Sequence, residues 1–176
     1  MSTRLSRRLA LGGILVGVTL LAASAAIGAH PLLIWNATAS APIGFYRVLP
    51  AGDEPLRVGD LVVVRPDTAS AKLYGQRGYL PLGVPLLKRI AATAGQLVCE
   101  HNGVVSIDGR HVADVLTMDG SGRPLAAWNG CCRLGDQEIF LLMADVPASL
   151  DGRYFGPTPT ASVIGRAIPL WTPGAR

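Results

Sequence analysis

The stretch VPLLKRIAA, residues 84–92, decides the fold that the sequence predicts. It is an apolar run of strand-like character that contains one lysine. With the period of two that a β-strand has, Leu86, Lys88 and Ile90 share one face. An amine on such a face loses the hydration of its charged form, so we expect the pKa of Lys88 to lie below its usual value of about 10.4. The alternative is a lysine on an edge strand whose amine extends to water.

Similar short apolar segments, separated by turn signals, lie on both sides of this run. The strands predicted from them cover residues 61–64, 97–99, 104–107, 110–113, 139–143 and 162–170. Asn102-Gly103 lies between two of these strands and is a strong hairpin signal. Residues 67–81 are mixed and polar, which is typical of an exposed loop or a short helix. Because no convincing amphipathic helix follows residue 29, the sequence predicts a mainly β domain.

Composition excludes several classes of function. Setting aside Arg4, Arg7 and Arg8 leaves 13 basic residues against 12 acidic ones, so the domain offers no basic face for nucleic acid. The three histidines are far apart and have no metal-ligand spacing. We therefore expect no nucleic-acid partner, no metal and no cofactor.

Residues 9–29 contain no charged side chain, and a transmembrane helix needs about 20 such residues. The arginines before them predict a cytoplasmic N-terminus at residues 1–8 and an exported domain at 30–176, on the periplasmic face of an inner membrane. The alternative is a cleaved signal peptide, because Ala23-Ser24-Ala25 offers a cleavage site; the domain is exported in either case. We favour retention, since apolar residues continue to Trp35, which we expect at the membrane interface.

The three cysteines are Cys99, Cys131 and Cys132. In an exported domain an odd count favours one disulfide, from Cys99 to Cys131 or to Cys132, with one thiol left over. We take Cys99–Cys132 as the working assignment. The alternative is three reduced thiols.

The stretch NATASAPIGFY, residues 36–46, follows the apolar N-terminus and contains a serine among small residues. Pro42 and Gly44 make unusual backbone demands close to Ser40. This composition suits an exposed nucleophile that another backbone must approach. Taken alone, the stretch is more typical of a turn that links an anchor to a domain, and the rest of the chain reverses that preference.

Four segments together resemble the type I signal peptidases (peptidase family S26), which are serine/lysine proteases on the outer face of a membrane. The segments are GDLVVV (residues 59–64), LKRIAATAGQ (87–96), SLDGRYFG (149–156) and the serine stretch. Gln96 and Gly152 depart from the family pattern, which has an acidic residue and a serine there. The spacing N-x-T-x-S-x-P-x-G-x-Y resembles the conjugative-transfer (TraF-type) branch.

This resemblance implies a signal-peptidase/LexA-like β-fold preceded by one transmembrane helix. It implies that Ser40 is the nucleophile, that Lys88 is the general base, and that Thr38 and the backbone N–H of Ser40 form an oxyanion hole. Ser149 matches the residue that orients the lysine amine.

Asp151 and Arg153 match an internal ion pair of the family. The alternative is an ordinary surface salt bridge. A carboxylate beside the site could also raise the pKa of Lys88, so the direction in which Asp151 points bears on the assignment of the base.

The resemblance also implies a substrate: a precursor protein, with the pilin of a conjugative transfer system as the expectation. In some members of this branch, cleavage is coupled to head-to-tail cyclisation of the pilin. The alternatives are a general signal peptidase for secreted proteins, an inactive membrane-anchored subunit of the transfer apparatus, and a self-cleaving repressor domain. The apolar N-terminal segment argues against the last.

Overall fold

Antiparallel β-strands form most of the regular secondary structure in the computed structural model, as the alternation of the sequence predicts. The structure describes residues 11–19, 22, 33–52 and 54–173. The chain divides into two compact units, Met1–Pro31 and Leu32–Arg176, and every predicted site residue belongs to the second. The prediction of a mainly β domain is confirmed.

The predicted membrane segment at residues 9–29 lies in large part outside the described residues. Those that are described there, 11–19 and 22, are helical. Within the described ranges, none of the helices combines the length and the apolar character that spanning a membrane requires. The membrane anchor therefore stays a prediction.

Eleven strands and two helices can be numbered along the described residues of the second unit. The strands are β1 (Leu33–Asn36), β2 (Gly44–Pro50), β3 (Leu61–Val64), β4 (Leu86–Ala92), β5 (Leu97–His101), β6 (Val104–Ile107), β7 (Arg110–Asp114), β8 (Gly130–Arg133), β9 (Glu138–Leu141), β10 (Thr158–Pro159) and β11 (Val163–Trp171). The helices are α1 (Thr68–Gln76) and α2 (Gly152–Phe155), and Thr160–Ser162 form a 3₁₀ turn.

The larger sheet has seven strands in the order β1-β2-β11-β3-β4-β9-β10. Strand β4, which carries Lys88, lies between β3 and β9, and Lys88 is paired with Val62. Strand β1, which leads to Ser40, lies at the edge of the sheet and pairs with β2. The two strands that position the predicted dyad therefore belong to one sheet.

The smaller sheet has four strands in the order β7-β6-β5-β8. The turn between β5 and β6 has φ of 55° at Asn102 and 78° at Gly103, the left-handed conformations that a type I′ turn requires. Asp108 (φ 49°) and Gly109 (φ 78°) repeat this geometry between β6 and β7. Both hairpins follow from turn residues that tolerate positive φ.

For residues 67–81 the sequence left a choice between an exposed loop and a short helix, and the structure has helix α1 there. Asp67 is its N-cap, and the carboxylate accepts hydrogen bonds from the backbone N–H groups of Ala69 and Ser70. The helix buries Tyr74 and leaves most of its other side chains at the surface. The short-helix alternative is therefore the correct one.

Two buried clusters support the regions on either side of β4. One, which includes Tyr46, Val63, Leu87 and Met143, packs beneath the serine stretch. The other packs the four-stranded sheet against Phe140 of β9. Each fully buried aliphatic or aromatic side chain contributes about 1.5–3 kcal/mol, so these clusters hold the strands that carry the site.

The disulfide joins Cys99 to Cys131, so the working assignment of Cys99 to Cys132 is wrong. Strands β5 and β8 pair so that Cys99 lies directly opposite Cys131, with 4.0 Å between their Cα atoms. Cys132 is the next residue along β8, and its side chain therefore points to the opposite face of the sheet. There its thiol is free and packs against the core beside Phe140.

Candidate active site

Ser40 lies in the loop, residues 37–43, that connects β1 to β2. The loop is closed by the pairing of Asn36 with Gly44. Gly44 has φ of 152°, and a Cβ atom there would lie 2.1 Å from the backbone oxygen of Trp171. Only glycine fits where β2 begins, and this requirement sets the path of the chain just after the serine.

Thr38 and Ser40 are directly connected by their hydroxyls. Their Oγ atoms are 3.1 Å apart, within hydrogen-bonding distance. The Thr38 side chain is exposed, and that of Ser40 is partly buried. Both residues that the sequence analysis placed around an oxyanion therefore present hydroxyls at the same part of the loop.

Lys88 is almost completely buried, with 3% of its surface exposed. Its Nζ donates a hydrogen bond of 2.7 Å to Oγ of Ser149, the contact that the resemblance implies. Burial lowers the pKa of Lys88 to about 8; the negative charge of Asp151 acts against this shift, and the positive charge of Arg153 adds to it. A substantial share of such amines is neutral at mildly alkaline pH.

Asp151 points toward Arg153. Its two carboxylate oxygens accept hydrogen bonds of 2.9 Å each from Nε and Nη2 of Arg153. Both side chains are buried, with 0% and 1% exposed, so the pair differs from a surface salt bridge. The charge of the carboxylate is neutralised mainly by the guanidinium rather than by the amine of Lys88.

The Asp151–Arg153 pair also holds the segment that carries Ser149. Nη2 of Arg153 donates to the backbone oxygens of Val146 (2.7 Å) and Ser149 (3.2 Å). The carboxylate in turn accepts a hydrogen bond of 3.0 Å from the backbone N–H of Met143. The ion pair therefore determines where Ser149 meets the lysine amine.

Gly152 occupies a position where the family pattern has a serine. A Cβ atom there would lie 2.7 Å from both the ring of Phe140 and the backbone oxygen of Leu141. Phe140 fills the space that a side chain would need, which explains why this chain has glycine at this position.

Ser40, Thr38, Lys88 and Ser149 all line one open groove of about 820 Å³. Of the described residues around it, only Lys88 and Asp119 carry a charge, and Asp119 is paired with Arg123 and Tyr79. The remaining wall is largely apolar and includes side chains from β1, β4, α1 and the loops that follow them. Such a groove suits an extended, uncharged peptide.

One residue of the loop region had no role assigned from the sequence. Asn36 is buried, and its amide forms hydrogen bonds with three residues of the serine loop. The N-x-T-x-S spacing was visible in the sequence, but these contacts depend on the fold of the loop. Within the described residues no cluster of histidine, cysteine or acidic side chains could hold a metal ion.

A hydroxyl and an amine of lowered pKa in one groove are the groups that nucleophilic acyl transfer requires. A neutral lysine can remove the proton of a serine, and nearby hydroxyl and backbone donors can stabilise an oxyanion. The groove therefore holds the groups that a serine hydrolase acting without histidine would need.

Comparisons with known proteins place the chain in a family. The family model for signal peptidase, peptidase S26, matches residues 5–171. The probable conjugal transfer protein TraF of Sinorhizobium fredii (strain NBRC 101917 / NGR234) is 37% identical over 146 residues, covering 78% of this chain and 76% of its own. The conjugal transfer protein TraF of Agrobacterium tumefaciens (strain 15955) is 35% identical over 171 residues, covering 92% and 93%.

A signal peptidase I from Enterococcus faecalis V583 is similar in structure, with a TM-score of 0.39 and 20% identity over 64% of this chain and 97% of that one. The family match spans nearly all of the second unit, with the serine stretch and the β4 lysine inside it. The chain belongs to the signal peptidase family, peptidase S26.

Proposed function

We propose that the protein is a membrane-anchored serine endopeptidase in which Ser40 is the nucleophile and Lys88 is the general base. The observation that carries this proposal is the buried lysine, with a pKa of about 8, in the same groove as the serine. A base whose pKa is close to the working pH is both deprotonated and basic enough to take a proton.

In the acylation step, Oγ of Ser40 forms a bond to the carbonyl carbon of the substrate while its proton passes to Nζ of Lys88. The oxyanion accepts hydrogen bonds from the Thr38 hydroxyl and the backbone N–H of Ser40. When the C–N bond breaks, Lys88 returns the proton to the leaving nitrogen. The result is an ester between Ser40 and the N-terminal part of the substrate, with no net change in charge.

In the second step the ester is resolved by water or by an amine. Lys88 accepts a proton from the attacking group and returns it to Oγ of Ser40. Water gives hydrolysis, whereas the amino terminus of the same polypeptide gives a cyclic product. Both outcomes use the same residues in the same roles.

The substrate is an extended segment of a precursor protein that lies in the groove beside the edge strand β1. Edge strands accept a further strand through main-chain hydrogen bonds, and the apolar walls favour uncharged side chains. The relatives are described as conjugal transfer proteins, which supports the pilin precursor of a conjugative transfer system as the substrate.

An aromatic cluster supports a site close to a membrane. Trp35, Phe45 and Trp171 are 40–57% exposed and lie together, with ring centroids 4.8–6.3 Å apart. Exposed tryptophans are typical of membrane interfaces. We infer that the groove opens near the periplasmic face of the inner membrane.

The second candidate function is that of a general signal peptidase for secreted proteins. The description of the family model favours it, and the chemistry would be the same. Competition between a pilin precursor and an ordinary signal-peptide precursor for the purified protein separates the two, because the preferred substrate suppresses cleavage of the other.

The test is mass spectrometry of a candidate pilin precursor from cells with the wild type, Ser40→Ala, Lys88→Ala or the control Lys72→Ala. Lys72 lies on the exposed face of α1 and is a lysine matched in type. We expect maturation with the wild type and the control, and none with the other two variants. A fragment mass reports cleavage, and loss of one further water reports cyclisation. Maturation that persists in both dyad variants would favour an inactive subunit of the transfer apparatus.

A further inference from the structure

The side chain of Asn36 makes five hydrogen bonds to the serine loop, although the proposed mechanism gives it no role. Its Nδ2 donates to the backbone oxygens of Thr38 (2.9 Å), Ala41 (3.0 Å) and Pro42 (3.1 Å). Its Oδ1 accepts from the backbone N–H (3.2 Å) and the hydroxyl (2.9 Å) of Thr38. Three carbonyl partners establish which end of the amide is the nitrogen, because only the NH₂ group can donate to them.

The position of Asn36 explains why one side chain can reach so much of the loop. It is the last residue of β1 and pairs with Gly44, so it lies at the base of the loop that contains Ser40. Only 7% of its surface is exposed, so water cannot readily replace these contacts. Tyr46 supports the same loop from β2 by donating a hydrogen bond of 2.6 Å to the backbone oxygen of Pro42.

The directions of the hydroxyl hydrogens follow from this geometry. Thr38 has one hydroxyl hydrogen, and Oδ1 of Asn36, which cannot donate, accepts it. In the 3.1 Å contact between the two hydroxyls, Thr38 must then be the acceptor and Ser40 the donor. Asn36 therefore determines, through Thr38, where the hydrogen of Ser40 points before a substrate binds.

We propose that Asn36 is a positioning residue that sets the conformation of the serine loop and thereby the positions of the Thr38 and Ser40 hydroxyl oxygens; in the free protein it also directs their hydrogens. It touches no reacting atom and acts through Thr38 and the loop backbone. The inference rests on the proposed roles of Ser40 and Thr38. When a substrate reacts, the Ser40 hydrogen turns to Lys88, and the Thr38 hydroxyl turns from Asn36 to the oxyanion, with no change in the number of protons.

The alternative is an asparagine that only stabilises the hairpin. The positioning role and the purely stabilising role predict different effects of Asn36→Ala. Loss of hairpin stability alone lowers the melting temperature and leaves the rate of the folded enzyme unchanged. Loss of a positioning residue lowers kcat of the folded enzyme and removes the effect of the Thr38 hydroxyl on that rate.

The test uses the purified full-length protein in detergent with a pilin precursor as substrate. Without Asn36 the loop no longer holds the Thr38 hydroxyl where the oxyanion forms, and the loss of one oxyanion donor costs about a hundred- to a thousandfold in kcat. We therefore expect Asn36→Ala to lower kcat by about a hundredfold, with KM within about threefold. Thr38→Val should cost at least about tenfold in the wild type but less than about threefold when Asn36 is already alanine. The matched control is Asn129→Ala, an exposed asparagine outside the groove, which should leave all values unchanged.

Hydrogen–deuterium exchange of the backbone amides at residues 37–41 and 43 gives a readout that does not depend on activity. We expect exchange in Asn36→Ala to rise about tenfold, which corresponds to the loss of one to two hydrogen bonds. If Asn36→Ala does not fold, Asn36→Asp replaces it in the test. One carboxylate oxygen then still accepts from Thr38, but the other faces the three carbonyl oxygens to which Nδ2 donates in the wild type. We expect kcat of this variant to fall by about tenfold or more.

The outcomes separate this inference from the proposed function. If Ser40→Ala is inactive while Asn36→Ala, or Asn36→Asp in its place, keeps wild-type kcat, the inference is wrong and the dyad stands. Additive effects of Asn36→Ala and Thr38→Val on kcat also overturn it. If Ser40→Ala cleaves as well as the wild type, the proposed function fails, and unchanged exchange at residues 37–43 then overturns the role of Asn36 in the loop.

Discussion

Replacing Lys88 with methionine should abolish activity and, at the same time, remove a pH-dependent cost to stability. Lys88 lies on β4 opposite Val62 of β3 and two residues before Ile90, all of them buried, so its charged form is poorly hydrated. The pKa falls from 10.5 to about 8 in the folded protein. Between these values the unfolded chain holds a proton that the folded protein lacks, so stability is lost as pH falls from 10.5 through 8.

The size of the effect follows from the shift. Each pKa unit corresponds to about 1.4 kcal/mol, so the free energy of unfolding of the wild type should rise by about 2 kcal/mol from pH 7 to pH 9.5 because of Lys88. In Lys88→Met this pH-dependent contribution to the free energy of unfolding is absent. Methionine has a similar length and leaves only the Ser149 hydroxyl without its donor.

The assay is denaturant unfolding of the full-length wild type, Lys88→Met and the control Lys72→Met in detergent at pH 7 and pH 9.5. Burial raises the pKa of the Cys132 thiol, but this group is common to all three proteins, so its effect cancels in the comparison. The free energy of unfolding of the wild type minus that of Lys88→Met should change by about 2 kcal/mol between the two pH values. If this difference is the same at pH 7 and pH 9.5, the claim that burial lowers the pKa of Lys88 is refuted.

Three further predictions concern activity and the buried framework. The value of kcat/KM should rise about tenfold per pH unit below pH 8 and level off above it, because Lys88 must lose its proton to act as a base. A profile that is flat from pH 6 to 9 would contradict the proposed dyad. Cys131→Ser should abolish the disulfide and lower stability by about 2–4 kcal/mol, whereas Cys132→Ser should leave it intact, as thiol labelling of the denatured proteins would show. Asp151→Asn should lower the free energy of unfolding by about 3–5 kcal/mol, since it leaves the guanidinium of Arg153 buried without its partner; a melting temperature equal to that of the wild type would contradict this.

Local patterns in the sequence were sufficient to predict most of the strands. Alternation identified β3 and β4, and Asn102-Gly103 identified the β5–β6 hairpin, because such patterns depend on neighbouring residues alone. The pairing of β1 with β2 was not predicted, since the apolar residues up to Trp35 are expected at the membrane interface. In the structure Leu33–Asn36 form an edge strand, and its tryptophan is exposed.

The parts of the site that the sequence could not provide are those that depend on register and distance. The choice between Cys131 and Cys132 depends on which residue lies opposite Cys99, and a shift of one residue reverses the answer. The direction of the Asp151 carboxylate likewise follows from the fold, which brings Arg153 against it. The contacts of Asn36 require the closed loop and have no signature in composition.

The position of β11 in the larger sheet has a consequence for when the groove can form during synthesis. Strand β11, the latest in sequence of the described strands, lies between β2 and β3 and so separates the strand that follows Ser40 from those that lead to Lys88. Its pairing with β2 joins residues more than 110 positions apart, a contact of long range that forms slowly. A nascent chain that has not yet reached residue 163 lacks an inner strand of this sheet. We therefore expect the groove to stay incomplete, and the protein inactive, until β11 has been synthesised and has inserted.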